Sequence, residues 1–199
     1  MNIALLGGTG RTGQHFLQLA QEEGHTITML SRKPVTVEGV NVVVGDATNE
    51  QALAEVVQGA DVIVSALGTD NAHVLERFTK VVIALVPTAR IITVGTAAIL
   101  QSRLDATKLR YEAGDTKRRS TTAAEDHHKM FTQLQNSNMR WTIVCPTYLP
   151  EGPVSANYRV EVDYLPNDAV QITTGEVAHC VYDVMQQASY IGTRIGIAQ

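Results

Sequence analysis

The residues best placed for chemistry stand near the start of the chain, where Gly7-Gly8-Thr9-Gly10-Arg11-Thr12-Gly13 puts glycines three residues apart. A short apolar run at 3–6 leads into them, and a helical pattern at 11–23 follows. In that setting the spacing has a physical meaning. Gly7 permits a tight turn, Gly10 lets an anionic group come against the backbone, and Gly13 lets the helix pack close to the strand. Exposed N–H groups at the helix start then meet phosphate oxygens. The predicted ligand is the pyrophosphate of a dinucleotide, with Thr9, Arg11 and Thr12 as further candidates in the turn.

The end of the second strand bears on which dinucleotide is bound. A site for NAD usually has Asp or Glu there to hold the ribose 2′-hydroxyl. This chain has Leu30-Ser31-Arg32-Lys33 instead. A carboxylate would repel a 2′-phosphate, whereas the forked guanidinium of Arg32 suits one and Ser31 adds a hydroxyl. NADP(H) is therefore the expected cofactor, with Arg11 a candidate to join the grip.

Other chemistries find little support. There is no nucleophile elbow, no Walker lysine and no zinc pattern, and no metal is expected. Cys145 and Cys180 stand far apart in apolar stretches and read as buried hydrophobes. His127 and His128 are neighbours, about 100° apart on a helix, so they do not form a joint metal pair. His127 is a candidate for hydrogen-bonding cofactor or substrate, and His128 is expected to be exposed. Glu125 and Asp126 read as a solvated helix start. His15, His25, His73 and His179 show no common pattern. Tyr148, after Pro146, offers an aromatic face for a flat ligand, while Tyr158 and Tyr164 read as structural.

Positioning these groups falls to alternating elements. Residues 3–6, 25–30, 40–44, 61–66 and 90–95 read as strands, the later ones nearly all apolar, as suits parallel strands covered on both faces. Residues 11–23, 49–58 and 71–86 read as helices, with Asn49 and Asn71 as N-caps. Residues 101–119 are polar and read as a surface excursion. A helix over 120–136, a strand over 141–145, a loop over 146–166 with one strand at 158–163, a helix opened by the Thr173/Glu176 capping pair, and a last strand near 197 complete the reading. This is an α/β chain with a doubly wound parallel sheet and a small C-terminal substrate-facing region. It is expected to form one domain over 1–199.

Composition agrees with such a fold. Of 199 residues, 44% are hydrophobic and 18% charged, and the net charge of −4 gives no general attraction to nucleic acid or anionic lipid. The initial apolar run is too short for a signal peptide, and no run approaches the roughly 18 residues of a membrane span. A cytoplasmic protein is expected. No dimerisation helix stands out, so a monomer is the expectation.

With GGTGRTG, SRKP, Gly45-Asp46-Ala47 and Ser65-Ala66-Leu67-Gly68, the chain resembles the atypical short-chain dehydrogenase/reductases. It is most similar to the small branch of NmrA-like proteins and flavin/biliverdin-IXβ reductases. Residues 124–130 and 141–146 extend the resemblance nearly end to end. It implies that Asp46 and Ala47 lie beside the adenine and Ala66, Leu67 and Gly68 along a ribose. It also implies that Thr93, Gly95 and Thr96, with Pro146, Thr147 and Tyr148, flank the nicotinamide. Usual members of the superfamily carry Tyr-x-x-x-Lys, but none of the six tyrosines here has Lys four residues on. Matched to the family, Ala123 takes the Tyr position and His127 the Lys position. Flavin/biliverdin-IXβ reductases also have His there, but their Thr-Ser pair is Thr96-Ala97 in this chain, which weakens the case for biliverdin. No catalytic residue is assigned; Thr96 and His127 are the candidates. The expected activity is NADPH-dependent hydride transfer to a planar acceptor such as a flavin or quinone. The alternative is a non-catalytic NADP-binding sensor acting through a protein partner.

Overall fold

Parallel strands buried on both faces need continuous apolar runs, and those runs determine the sheet. The computed structural model describes residues 1–70, 73–116, 120–155 and 157–199. Among them, β1 (Asn2–Leu6), β2 (Thr26–Ser31), β3 (Val40–Val44), β4 (Val62–Ser65), β5 (Arg90–Val94), β6 (Arg140–Pro146), β7 (Arg159–Val162) and β8 (Thr193–Ala198) form one sheet in the order β3-β2-β1-β4-β5-β6-β8-β7. Every pairing is parallel except that of β7 with β8. This is a Rossmann-type α/β fold, as the strand–helix alternation predicts.

Helices cover both faces. Alternate residues of β1 show the division, with Ala4 and Leu6 packing into one apolar cluster and Ile3 and Leu5 into the other. The first cluster lies under α2 (Glu50–Val57), α3 (Val74–Leu85) and α4 (Thr122–Gln135). The second lies under α1 (Arg11–Glu22) and α5 (Thr174–Gln187). Among the described residues, no helix is long and apolar enough to cross a membrane.

Two caps follow the sequence. Asn49 accepts from the Ala52 amide at 2.9 Å, and Thr173 and Glu176 form the reciprocal capping box of α5. Asn71 lies outside the described residues, and α3 starts at Val74. The excursion at 101–119 is more anchored than its polarity suggests. Gln101 bridges Leu109, Leu109 joins the core, and Ser102 is fully buried; residues 117–119 lie outside the described residues. Both cysteines are buried and free, and burial pushes each thiol up to about 12, so neither is a ready nucleophile.

His25 ties the second strand to the last helix. Its Nε2 lies 3.0 Å from the Tyr182 hydroxyl and its Nδ1 lies 3.1 Å from the Met1 ammonium. Burial first, then that ammonium, lowers its pKa below the ordinary 6.5. The unfolded chain therefore takes up the proton more readily. Stability from this group is present above about 6.5 and is lost as pH falls through the lowered folded value. Thermal melts from about pH 7 down to about pH 5 should show a smaller loss for His25→Gln than for the parent chain. Parallel curves for the two proteins would contradict this.

Candidate functional site

The strand order reverses at β1 and β4. From β1 the chain leaves to α1 on one face, and from β4 to α3 on the other, which opens a crevice beyond the strand ends. A cleft of about 280 Å³ occupies this position. Its walls include Gly7, Thr9, Gly10, Ser31, Arg32, Asp46, Ala47, Ala66, Leu67 and Gly68. These candidates come from four separate stretches of sequence, and folding brings them together. Leu30, Gly45, Asp70 and Val74 complete the lining and were not among the candidate residues.

The turn under the cleft has the tight geometry that Gly7 and Gly13 suggest. Gly7 has φ +78°, and a Cβ on it would lie 2.6 Å from the Ala66 carbonyl oxygen. A Cβ on Gly13 would lie 2.0 Å from the Gly7 carbonyl oxygen, so α1 packs onto the turn only with glycine there. Gly10 is less constrained, with the nearest atom 3.2 Å away. Gly10 precedes α1 in an extended conformation, and no side chain caps the helix. Its initial N–H groups are thus left without a side-chain acceptor beside an open cleft. That arrangement fits a pyrophosphate. Arg11 is exposed at the helix start, with Thr12 half-buried and Gly13 buried behind the turn.

At the β2 end, Arg32 is exposed and its Nη1 lies 2.6 Å from Oδ2 of Asp70. Ser31 is buried, and its hydroxyl donates to the Lys33 carbonyl at 2.7 Å, which turns it toward the local backbone. Asp46 accepts from both the hydroxyl and the amide of Thr48, at 2.6 and 2.8 Å. Those bonds hold its carboxyl below the usual range.

The residues expected around a nicotinamide lie outside this cleft, at the neighbouring ends of β5 and β6 and on α4. These strands run side by side, with the Gly95 amide bonded to the Val144 carbonyl at 2.7 Å. A Cβ on Gly95 would lie 2.5 Å from Ile143, so glycine is needed for packing there. The Thr93 side chain is buried, its hydroxyl 3.7 Å from the Met130 sulfur. Thr96 Oγ1 accepts from the Ala98 amide and caps the short helical turn at Ala97–Ile99. Pro146 is buried at the strand end, Thr147 is half-buried, and Tyr148 is 69% exposed. His127 is buried on α4.

Two neighbours of His127 depart from expectation. Asp126 is only 1% exposed and accepts from the Leu75 and Glu76 amides at 3.2 and 3.0 Å. It therefore caps α3 from another helix, because α3 has no side-chain cap of its own. His128 is half-buried, with Nδ1 2.8 Å from the Tyr111 hydroxyl and its ring stacked on Phe131. His73, Glu76 and Asp126 bring ligand-type atoms within 4.8 Å of one another. However, Glu76 is held by Lys129 at 2.8 Å and Asp126 by the helix amides, so the group serves α3. Tyr158 bonds Asp183 at 2.8 Å, and Tyr164 lies under Arg103.

The sequence pattern of the NAD(P)H-binding family matches residues 7–188, from the glycine turn through α5. The chain belongs to the NAD(P)H-binding family. Among solved structures, it is similar to a candidate NADH-flavin reductase from Streptococcus pneumoniae. That likeness has a TM-score of 0.86 and 20% identity, covering 100% of this chain and 99% of the other. A short-chain dehydrogenase/reductase from Veillonella parvula, crystallised with NADP, gives 0.79 and 18%, covering 100% and 94%. The uncharacterized protein YwnB of Bacillus subtilis is 23% identical over 167 residues, 80% of this chain and 78% of that one. The likeness to the solved structures is one of fold.

Proposed function

We propose that this NAD(P)H-binding chain is an NADPH-dependent reductase that passes hydride to a planar conjugated acceptor, a flavin or a quinone. The observation that carries the reading is Tyr148, an exposed aromatic on the loop after β6, whose neighbour in the sheet, β5, pairs with the β4 strand that leads into the cleft. The likeness to the S. pneumoniae protein supports the same acceptor class.

NADPH, when bound, supplies the hydride; with one proton from solvent it reduces the acceptor by two electrons and leaves NADP⁺. The chain supplies placement. The glycine turn and uncapped α1 receive the pyrophosphate, Arg32 receives the 2′-phosphate, and Tyr148 stacks against the acceptor. No Tyr-x-x-x-Lys acid is present, so a ring that delocalises the incoming charge suits the site better than a simple carbonyl.

Two measurements test this. Arg32→Ala should weaken NADPH about 10- to 100-fold while changing NADH about twofold or less, since charge-assisted bonds to phosphate are lost. Equal losses for both would remove the 2′-phosphate assignment. Incubation with NADPH and FMN, FAD or a quinone should give acceptor-dependent loss of the nicotinamide absorbance well above the protein-free rate. Tight NADPH binding without turnover across the panel would sink the reductase and favour the sensor, which acts through a protein partner.

A further inference from the structure

Arg32 and Asp70 are 38 residues apart, yet their side chains meet at 2.6 Å across the mouth of the cleft. Their positions follow from the strand order. Arg32 comes directly after β2, and Asp70 lies on the segment between β4 and α3. β2 and β4 flank β1, whose end carries the glycine turn, so the ion pair spans the switch point. Both residues line the cleft, and both are largely exposed, at 72% and 52% of their side chains. Asp70 also sits at φ +47°, a left-handed conformation that costs a non-glycine residue some energy and that Asp and Asn tolerate best.

Resting on the cofactor reading above, we propose that Asp70 sets the NADP-versus-NAD selectivity of the cleft by competing with the 2′-phosphate for Arg32. A ribose with a free 2′-hydroxyl leaves the Arg32–Asp70 pair intact. A 2′-phosphate must draw the guanidinium away and also meets the negative charge left on Asp70. The carboxylate thus costs NADPH affinity and spares NADH. The usual acid at the end of β2 is absent here, and Asp70 brings an acid to the same place from across the cleft.

Asn keeps the left-handed backbone and the size of the side chain while removing the charge, so Asp70→Asn is a conservative probe. NADPH and NADH are titrated by fluorescence against the full chain, Asp70→Asn, Arg32→Ala and the double variant. Asp70→Asn should tighten NADPH about three- to tenfold, the range expected from breaking an exposed ion pair and removing repulsion of a dianion. NADH should change about twofold or less, and the NADPH gain should be smaller in the Arg32→Ala background, where the competition for Arg32 is gone and only the charge repulsion remains to be relieved. Unchanged or weaker NADPH binding by Asp70→Asn overturns the proposal, as does an equal gain for NADH or a full gain without Arg32. Weakened NADH would instead make Asp70 a direct ribose ligand and also overturn it. In all these cases the cofactor reading stands if the parent chain binds NADPH; a parent chain that binds neither nucleotide overturns both.

Discussion

Gly13→Ala should abolish NADPH binding and cost about 3 kcal/mol or more of stability, at or beyond the upper end of overpacking penalties. The added Cβ would lie 2.0 Å from the Gly7 carbonyl oxygen, 2.7 Å from its carbon and 2.8 Å from the Gly8 Cα. All three atoms are backbone, so no side-chain rotation relieves the clash. Relief requires α1 to move off the turn, which also moves the N–H groups proposed to meet the phosphates. Gly10→Ala is the internal comparison. Its nearest contact is 3.2 Å, so a shift of a few tenths of an ångström suffices and the melting temperature should fall far less. Calorimetry with an NADPH titration reads both effects. Parent-like stability and binding in Gly13→Ala would mean that the turn geometry is not what positions the helix.

The second large effect is expected at Asp126, which is not among the residues lining the cleft. Asp126→Ala leaves two α3 amides without their acceptor, one of them on Leu75, which is fully buried. Charge-assisted bonds of this kind put the loss at about 2–3 kcal/mol. Asp126→Asn, which keeps an acceptor, should recover part of it. Because Val74 at the start of α3 lines the cleft, NADPH affinity should fall along with the melting temperature. A change within about 0.5 kcal/mol, typical of ordinary surface positions, would restore the solvated helix start as the better description.

The contrast between these two residues shows what the sequence made legible. Gly13 could be read because its role is local: strand, turn and helix lie within a few residues, and glycine spacing expresses their steric demands. The apolar runs of β4 and β5 and the caps at Asn49 and Thr173 were legible for the same reason. Asp126 could not be read. Within its own helix it is a polar residue in the first turns, and its partners are amides 51 and 50 residues away that only α3–α4 packing brings near. Asp70 was missed on similar grounds, because nothing near it in sequence points to Arg32. Leu109 in a polar stretch, and His128 between Tyr111 and Phe131, likewise depend on tertiary contacts that override local polarity.

On the proposed reading, the glycine turn serves nucleotide binding and the region around Tyr148 serves its use. The most direct test of that use is a single turnover of the protein with NADPH deuterated at the nicotinamide C4 position, mixed with excess FMN without oxygen. The account predicts rapid loss of the nicotinamide absorbance, stoichiometric NADP⁺ and reduced FMN, and slower decay when the transferred hydrogen is deuterium. NADPH that stays bound and unoxidised under these conditions would contradict it.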